Sequence, residues 1–381
     1  MSEKLPGLDV RLAAEIAESG PLRFDRFMAG ALYDPAAGFY AAGRGSIGKD
    51  GDFYTSVSIG PVFGEILAGQ FVEMWQALGQ PANFSLIEQG AGDGQLARDV
   101  LDALASTPLA GAPLVIVEPL ASLRAKQEAK LPGGAVSWVA SPEDLPELCG
   151  VHYSNELFDA LPVRLLRSTG GGWMESYVDV APAPPGSGGP PAFVWLEREV
   201  DADLAGIAAS LPVRPKGFAV EICRAQRPLL GVLADKIARG FLLAIDYGMD
   251  QESLLAPHRS DGTLSCYRHH RRDANPLEAP GEKDITAHVN FSRLSGDAVD
   301  AGWRPAGFTD QHHFLVGAAT ALLRSLDGVM PDAAGQKKLR ALRTLLHPES
   351  MGRQFHAILF SRGLDDAKLT GFQYARKAAL L

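Results

Sequence analysis

Cysteine is scarce in this sequence of 381 residues, which contains only Cys149, Cys223 and Cys266. The three are odd in number and widely spaced, which excludes a disulfide scaffold and leaves no CxxC pair for zinc. His312 and His313 also lack further ligands at metal-binding spacing. We therefore interpret the cysteines as structural thiols in a reducing compartment and expect no metal site.

Positive charge is also in short supply. Lys and Arg number 36 against 45 Asp and Glu, so the formal net charge is −9. Binding to nucleic acid requires clustered basic side chains that neutralise phosphates, so we expect no nucleic-acid partner. The densest basic run, residues 268–272, is short and typical of a solvated or phosphate-touching loop.

Long apolar runs are missing as well. No stretch approaches the ~18 consecutive apolar residues of a membrane span. The segment that begins at Met1 shows no basic stretch followed by an apolar run, as a secretory signal would. We therefore expect a cytoplasmic protein with no membrane partner.

Glycine and proline, in contrast, are abundant, with 41 and 26 residues respectively. This excess predicts many turns and long ordered loops, where chemistry often takes place. Hydrophobic residues make up 46% of the chain and charged residues 21%, which is ordinary for a globular protein. The length suits two to three domains of roughly 150 residues each.

The beginning of the chain is predicted to be helical. Apolar residues at helical spacing predict helices over residues 9–18 and 22–32, and a glycine-rich loop follows them. Pro61 then opens a helix whose apolar residues recur every four positions. The sequence therefore predicts an N-terminal helical cover and loop over residues 1–60 and a larger domain over residues 61–381.

From residue 84 onward, short apolar strands alternate with helices, which is typical of a doubly wound, mostly parallel sheet in an α/β fold. Continuous apolar runs are what buried parallel strands require on both faces. The predicted strands are residues 84–87, 114–117, 137–139, 150–154 and 241–245.

Two insertions interrupt this pattern. Residues 164–216 contain strand-like segments on either side of the Pro- and Gly-rich run 181–191, which predicts an inserted β-hairpin with a flexible tip. Residues 250–300 form a second, polar loop insertion. The hairpin and the helix-rich chain ends offer a surface for a homodimer.

The clearest local motif is the run from Glu88 to Gly94, which lies directly between a predicted strand and a helix. Glycines at such a place let the backbone turn tightly and leave room for a ligand at the helix N-terminus. A dinucleotide fingerprint counted from Gly90 would place its third glycine at position 95, which is Gln95. The pattern E-x-G-x-G-x-G instead resembles motif I of the class I methyltransferases that use S-adenosylmethionine (SAM), so SAM is favoured over NAD.

Polar residues follow two further strands at the carboxyl edge, where open α/β sheets bind their ligands. Glu118 ends the second strand, where a carboxylate can accept hydrogen bonds from both ribose hydroxyls; the alternative is a surface acid. Asn155, Glu156 and Asp159 follow the fourth strand and are expected to point toward the transferable methyl group. The alternative for this loop is a helix cap with solvated acids.

Several segments together resemble the MidA family, which includes a mitochondrial complex I assembly-factor arginine methyltransferase and its bacterial relatives. They follow the family's order along most of the chain. The segments are residues 32–40, 51–56, 63–66, 88–94, 155–163, 245–248, 262–264 with Tyr267, 284–289, and 347–348 with 351–352 and Phe355. Two features depart from the family pattern: Gln89 replaces a residue that is often apolar, and the run 181–191 is particular to this chain.

The resemblance implies a Rossmann-like class I SAM methyltransferase whose N-terminal segment helps to cover the cofactor. It places three residues of the N-terminal loop at the methionine end of SAM, glycines at the turn, and an acid at the ribose. The cofactor-binding residues implied or predicted in this way are Asp52, Thr55, Ser56, Glu88, Gly90, Gly92, Asp93, Glu118 and Asn155.

An arginine acceptor would need carboxylates, because its guanidinium arrives charged, with a pKa above about 12. The carboxylates would orient the guanidinium and accept a proton as its nitrogen attacks. We predict Glu156, Asp159, Glu221 and Asp246 as candidate acids, with Glu156 and Glu221 as a bidentate clamp. His288 is a further candidate base or substrate contact, although a lone loop histidine is more often structural.

The acceptor itself is left open, because a fold and a cofactor motif do not specify it. One hypothesis is methyl transfer to an arginine of a partner protein. A second is an O-, N- or S-methyltransferase acting on a small molecule. A third is a SAM-binding assembly factor with little turnover.

Overall fold

The computed structural model describes most of the chain. The described residues are 6–43, 56–131, 133–182, 189–268, 271–273, 275–326, 332–347, 354–364 and 366–375. The chain divides into two compact units, which we call the accessory unit and the core unit. The accessory unit comprises Met1–Gly45, Ala160–Ala225 and Gln251–His288, and the core unit comprises Ser46–Asp159, Gln226–Asp250 and Val289–Leu381.

Helices and strands alternate along much of the chain. The helices are α1 (Leu8–Ser19), α2 (Phe24–Tyr33), α3 (Val62–Ala77), α4 (Gln95–Leu104), α5 (Ala121–Lys130), α6 (Ala202–Ser210), α7 (Gln226–Lys236), α8 (Gln251–Leu254), α9 (Phe291–Asp300), α10 (Gln311–Ala318), α11 (Thr320–Leu326) and α12 (Ala333–Leu346). The strands are β1 (Leu22–Arg23), β2 (Phe84–Gln89), β3 (Leu114–Val117), β4 (Val136–Val139), β5 (Leu148–Asn155), β6 (Val163–Ser168), β7 (Trp173–Val180), β8 (Phe193–Glu199), β9 (Ala219–Cys223), β10 (Ile237–Met249), β11 (Ser265–Arg268), β12 (Arg271–Asp273), β13 (Asp284–Thr286), β14 (Val289–Asn290), β15 (Arg304–Asp310) and β16 (Phe355–Arg362).

The core unit is built on a sheet with the strand order β15-β16-β10-β5-β2-β3-β4, and β14 pairs with the end of β10. Strand β16 is antiparallel to both of its neighbours, whereas β10, β5, β2, β3 and β4 run parallel. The order reverses direction between β2 and β5, which is where an open α/β sheet forms its ligand crevice. The Rossmann-like, mostly parallel sheet predicted from the sequence is therefore confirmed.

The helix predicted after Pro61 is present as α3, and its apolar stripe forms part of the core. Phe63 and Phe71 have no exposed surface, and Leu67 is 1% exposed. The ring of Phe71 packs on Tyr153 of β5, with centroids 4.8 Å apart. The stripe thus anchors α3 on the sheet beside the strand that carries several candidate site residues.

The accessory unit contains a five-stranded antiparallel sheet in the order β1-β7-β6-β9, with β8 on the other edge of β7, and a small sheet in the order β12-β11-β13. The predicted inserted hairpin is present, since β7 and β8 pair antiparallel with Val178 opposite Trp195. Residues 183–188 of its predicted flexible tip lie outside the described residues.

The unit boundaries differ from those expected from the sequence. The structure groups residues 1–45 of the predicted cover with both insertions, because β1 pairs with β7 and the ring of Phe24 packs on Trp195 at 5.0 Å. The second insertion contributes only residues 251–288, since α9 belongs to the core unit, where Phe291 is fully buried. Among the described residues, no helix has the length and apolarity needed to cross a membrane.

Candidate active site

The motif I turn joins β2 to α4 through three glycines with positive φ angles. Gly90, Gly92 and Gly94 have φ values of 77°, 55° and 83°, a region that strongly favours glycine. The amide of Gly94 donates to the carbonyl of Ala91 at 2.8 Å and closes the turn. A Cβ atom on Gly90 would lie 3.3 Å from the side chain of Leu157. Bare backbone is therefore required here, as expected where a chain approaches a ligand closely.

Asp93 stabilises the start of the helix after this turn. Its Oδ1 accepts a hydrogen bond from the amide of Gln95 at 3.1 Å, and its Oδ2 lies 2.6 Å from the ammonium group of Lys130. Both carboxylate oxygens of this predicted cofactor residue thus contact the protein itself.

Glu88, the first residue of the motif, is buried on the inner side of the turn. It is 2% exposed, and the hydroxyl of Tyr153 donates to its Oε2 at 2.7 Å. Burial raises the pKa of Glu88 to about 7, although the hydrogen bond from Tyr153 acts in the opposite direction. The carboxyl group therefore retains a proton through the mildly acidic range.

This raised pKa predicts a change of stability with pH. Below the unfolded pKa of about 4.5, Glu88 is protonated in both states and its stabilising contribution is fully present; it is lost as the pH rises through about 7. The stability difference is the free energy of unfolding of the parent minus that of Glu88→Gln. This difference should fall by on the order of 2–3 kcal/mol between about pH 5 and about pH 8. Urea unfolding of both proteins at each pH measures this difference.

The exposed Glu147 provides the matched control. The same difference measured with Glu147→Gln should stay flat across the pH range, because Glu147 is exposed and folding does not bury its carboxylate. Parallel pH curves for the parent and Glu88→Gln would show that the pKa of Glu88 lies in its ordinary range.

Glu118 follows β3 and is only 7% exposed. Its Oε1 accepts a hydrogen bond from the amide of Leu120 at 2.9 Å, and its Oε2 accepts one from Nε2 of Gln127 at 3.0 Å. Burial raises its pKa, and these two hydrogen bonds lower it. Because a carboxylate has about four lone-pair sites, each oxygen of Glu118 can accept a further hydrogen bond, as a ribose diol requires.

The loop after β5 brings together two of the predicted residues. Nδ2 of Asn155 donates to Oε1 of Glu156 at 3.0 Å. Oδ1 of Asn155 is buried and has no hydrogen-bond partner among the described residues. Glu156 has a φ of 56°, which is unusual for a residue other than glycine, and its amide donates to the carbonyl of Ile245 at 2.9 Å. Such backbone strain is found preferentially at active sites, so it supports a functional role for this loop.

Asp246 of β10 binds the backbone of the same loop. Its Oδ2 accepts hydrogen bonds from the amides of Leu157 at 3.1 Å, Phe158 at 2.8 Å and Asp159 at 3.4 Å, and its Oδ1 accepts one from Tyr247 at 2.9 Å. Burial raises the pKa of Asp246 well above its usual value, and the nearby carboxylates of Asp159 and Glu156 raise it further. The sequence suggested Asp246 as a reacting acid, but four backbone amides already bind its oxygens, which favours a positioning role.

Two other predicted residues meet in the accessory unit. Oε1 of Glu221 accepts hydrogen bonds from the amides of Thr263 at 2.8 Å and Leu264 at 3.0 Å, while its Oε2 accepts one from the Thr263 hydroxyl at 3.0 Å. The amide of His288 donates to the same hydroxyl oxygen, also at 3.0 Å. Glu156 belongs to the core unit, and its pairing with Glu221 as a clamp stays a prediction.

Thr263, which joins Glu221 to His288, was not identified as a site residue from the sequence. The signal that points to it is the preceding Gly262, which has a φ of 74°. A Cβ atom there would lie 2.3 Å from Oε1 of Glu221. The glycine therefore allows the Glu221 carboxylate to reach the backbone of the Thr263 loop.

The predicted methionine-end residues are only partly described. Asp52 and Thr55 lie outside the described residues. Ser56 is fully buried, and its hydroxyl donates to Oε1 of Gln311, at the start of α10, at 3.1 Å. Gln311 is also fully buried, and its Nε2 has no partner among the described residues.

These features agree with comparisons to known proteins. Residues 66–309 match the model of a family of S-adenosyl-L-methionine-dependent methyltransferases. The chain belongs to this family. The methyltransferase is similar to a Burkholderia thailandensis protein crystallised with bound S-adenosyl-homocysteine, with a TM-score of 0.86, 32% identity and full coverage of both chains. This similarity confirms SAM as the cofactor.

Curated relatives extend the comparison. The methyltransferase is 29% identical to the mouse "Protein arginine methyltransferase NDUFAF7, mitochondrial", covering 91% of this chain and 82% of the relative. It is 28% identical to the human protein of the same name, covering 96% of this chain and 85% of the relative. The resemblance to the MidA family is confirmed by these matches.

The same relatives correct one expectation. The prediction of a cytoplasmic location is wrong, because the matched proteins of mouse, zebrafish and human are named as mitochondrial. The prediction depended on the absence of a secretory pattern after Met1 and of a long apolar run, together with few cysteines. Few cysteines indicate a reducing environment but do not distinguish one reducing compartment from another, and the lack of a long apolar run argues only against a membrane span.

Proposed function

We propose that this methyltransferase transfers the methyl group of SAM to an arginine side chain of a partner protein. The observation that carries the proposal is the group of carboxylates Glu156, Asp159 and Asp246 at the carboxyl ends of β5 and β10, where burial and then the two neighbouring carboxylates raise the pKa of Asp246. Such a site is complementary to a cationic acceptor. The relatives named as protein arginine methyltransferases provide independent support.

The residues of the core unit fit the cofactor. In this proposal the backbone at Gly90 and Gly92 lies against SAM, Glu118 accepts hydrogen bonds from the ribose hydroxyls, and the orphaned Oδ1 of Asn155 accepts one from the cofactor or the acceptor. In the same proposal, Ser56 approaches the methionine end of SAM. Glu88 and Asp93 support the turn between β2 and α4 through Tyr153 and Lys130.

The chain's contribution to the reaction is alignment and proton acceptance. SAM, when bound, supplies a methyl group that is already activated on a sulfonium sulfur. Holding donor and acceptor in line contributes on the order of 7–11 kcal/mol to the lowering of the barrier. Glu156 orients the guanidinium and takes the proton that its nitrogen releases as the new N–C bond forms and the methyl–sulfur bond breaks, with S-adenosylhomocysteine as the leaving group. Asp246 fixes the loop that carries Glu156 and Asp159.

Labelled SAM incubated with arginine peptides, with the same peptides carrying lysine instead, and with a metabolite panel tests the proposal. We expect label in the arginine peptides and little in the lysine peptides. Label only in metabolites would identify a small-molecule methyltransferase. Calorimetric binding of SAM without any transfer would identify a cofactor-binding assembly factor. Either result would contradict the arginine proposal.

Membership of the family implies a methyl acceptor, and its identification as a protein is part of the proposal. Homodimer formation and the absence of a nucleic-acid partner stay predictions from the sequence.

A further inference from the structure

A buried amide connects the motif I turn to the residue proposed to bind ribose. Gln127 of α5 has no exposed surface. Its Nε2 donates to the carbonyl of Gly92 at 2.8 Å and to Oε2 of Glu118 at 3.0 Å. Its Oε1 accepts a hydrogen bond from the indole nitrogen of Trp138 in β4 at 3.0 Å. Both N–H groups and the oxygen of this side chain are therefore engaged.

The chemistry of these partners determines which way the amide of Gln127 points. An indole N–H only donates, so the oxygen of the amide must face Trp138. The carbonyl of Gly92 and the carboxylate of Glu118 both accept, so the nitrogen must face them. Rotating the amide by half a turn would place N–H against N–H and oxygen against two oxygens. Trp138, together with these two acceptors, thus fixes the orientation of the Gln127 amide.

The orientation of Gln127 restricts the carboxylate of Glu118. The amide of Leu120 holds one oxygen of Glu118, and Gln127 holds the other, so the carboxylate cannot rotate without breaking a hydrogen bond. Because Gln127 also binds the carbonyl of Gly92, the carboxylate and the glycine turn are kept at a fixed separation. Two vicinal hydroxyls require two acceptor oxygens in one fixed plane, which this arrangement supplies.

We infer that Gln127, oriented by Trp138, is a positioning residue that sets the Glu118 carboxylate for the ribose diol of SAM. This inference rests on the proposed cofactor role of Glu118 and not on the nature of the methyl acceptor. It predicts that a substitution of Gln127 weakens most the binding of ligands that carry both ribose hydroxyls. A merely structural role would weaken the binding of every ligand of the pocket alike.

Calorimetry with S-adenosylhomocysteine and its 2′-deoxy analogue separates these roles. Gln127→Leu should weaken S-adenosylhomocysteine binding at least about tenfold, because a hydrogen bond to a charged group is lost. It should weaken binding of the deoxy analogue less than about threefold, because one of the oriented contacts is already missing. Trp138→Phe, which leaves Gln127 in place but removes the hydrogen bond to its amide oxygen, should show the same ribose selectivity with a smaller loss.

Gln70 offers a matched control, since it is a fully buried glutamine of α3 whose side chain contacts Thr370 and Gly371 instead. Gln70→Leu should lower the melting temperature but leave the ratio of the two affinities at the parent value. Equal weakening of both ligands by the Gln127 variant, or no weakening, would overturn the inference. If that variant fails to fold, Trp138→Phe decides: an unchanged affinity ratio would overturn it.

Glu118→Gln distinguishes failure of the inference from failure of its premise. If this variant keeps the parent's preference for the ribose hydroxyls, the cofactor role of Glu118 fails and the inference with it. If it removes the preference while Gln127→Leu does not, the positioning role alone is overturned. Neither result depends on which acceptor is methylated.

Discussion

Glu156→Gln should lower the rate of methyl transfer to an arginine peptide by at least about 100-fold, the lower range for loss of a positioned general base. Glutamine has nearly the same shape, and its amide oxygen can still accept the hydrogen bond that Asn155 gives to Glu156. What it loses is the charge that orients a guanidinium and the basicity to take its proton. Single-turnover transfer from labelled SAM measures the rate, and calorimetry with S-adenosylhomocysteine should show little change in affinity.

Glu147→Gln is the control for this variant, because Glu147 is exposed and directly precedes β5, whereas Glu156 directly follows it. Its transfer rate should equal that of the parent. Near-parental transfer by Glu156→Gln would remove Glu156 from the proton path. Loss of cofactor binding in that variant would reassign Glu156 as a SAM ligand.

The features of the fold around the candidate site that the sequence predicted well are local in the chain. The motif I turn is recognisable because strand, glycines and helix follow one another, and Gly90 and Gly92 take the positive φ angles that the pattern demands. The end of β5 was placed for the same reason, since a buried strand stops at Asn155. In these cases the residue type itself reports the local backbone.

The parts that it missed depend on contacts between distant segments. Leu22 pairs with Val178, and this pairing groups the N-terminal cover with the insertions. No local pattern in either segment specifies the partner. Gln127 carries no motif either, and its importance appears only when Gly92 and Glu118 are found on either side of its amide.

Asp246 shows a different limit of prediction from the sequence. The sequence identifies it only as an acid near a strand end, a candidate of the same kind as Glu156 or Asp159. The structure separates them, because the amides of the loop after β5 converge on Asp246 and hold it as a support. Residue type predicts which chemistry is available, whereas the hydrogen-bond partners of Asp246 show that its carboxylate supports the loop.

Arg164→Met should destabilise the accessory unit by about 3–5 kcal/mol, the cost of breaking a buried ion pair from one side. Arg164 is 1% exposed in β6, and its Nε and Nη2 bind both oxygens of Glu175, which has no exposed surface. Asp201 and Asp203 bind the same guanidinium at 2.5 and 3.1 Å. Methionine fills a similar volume but leaves Glu175 buried without its counter-charge. Hydrogen exchange of the amides in residues 163–180 measures the free energy of opening.

Two further variants decide whether the charge or the packing of Arg164 matters. Arg167→Met, on the same strand, removes only a partly exposed pair with Glu197 at 3.6 Å, so it should cost less than about 1 kcal/mol. Combining Arg164→Met with Glu175→Leu should recover most of the loss, since replacing both members of a buried pair by apolar residues is often neutral. A double variant as unstable as Arg164→Met alone would contradict this account, because it would show that the shape of the guanidinium, and not the uncompensated carboxylate, stabilises the sheet.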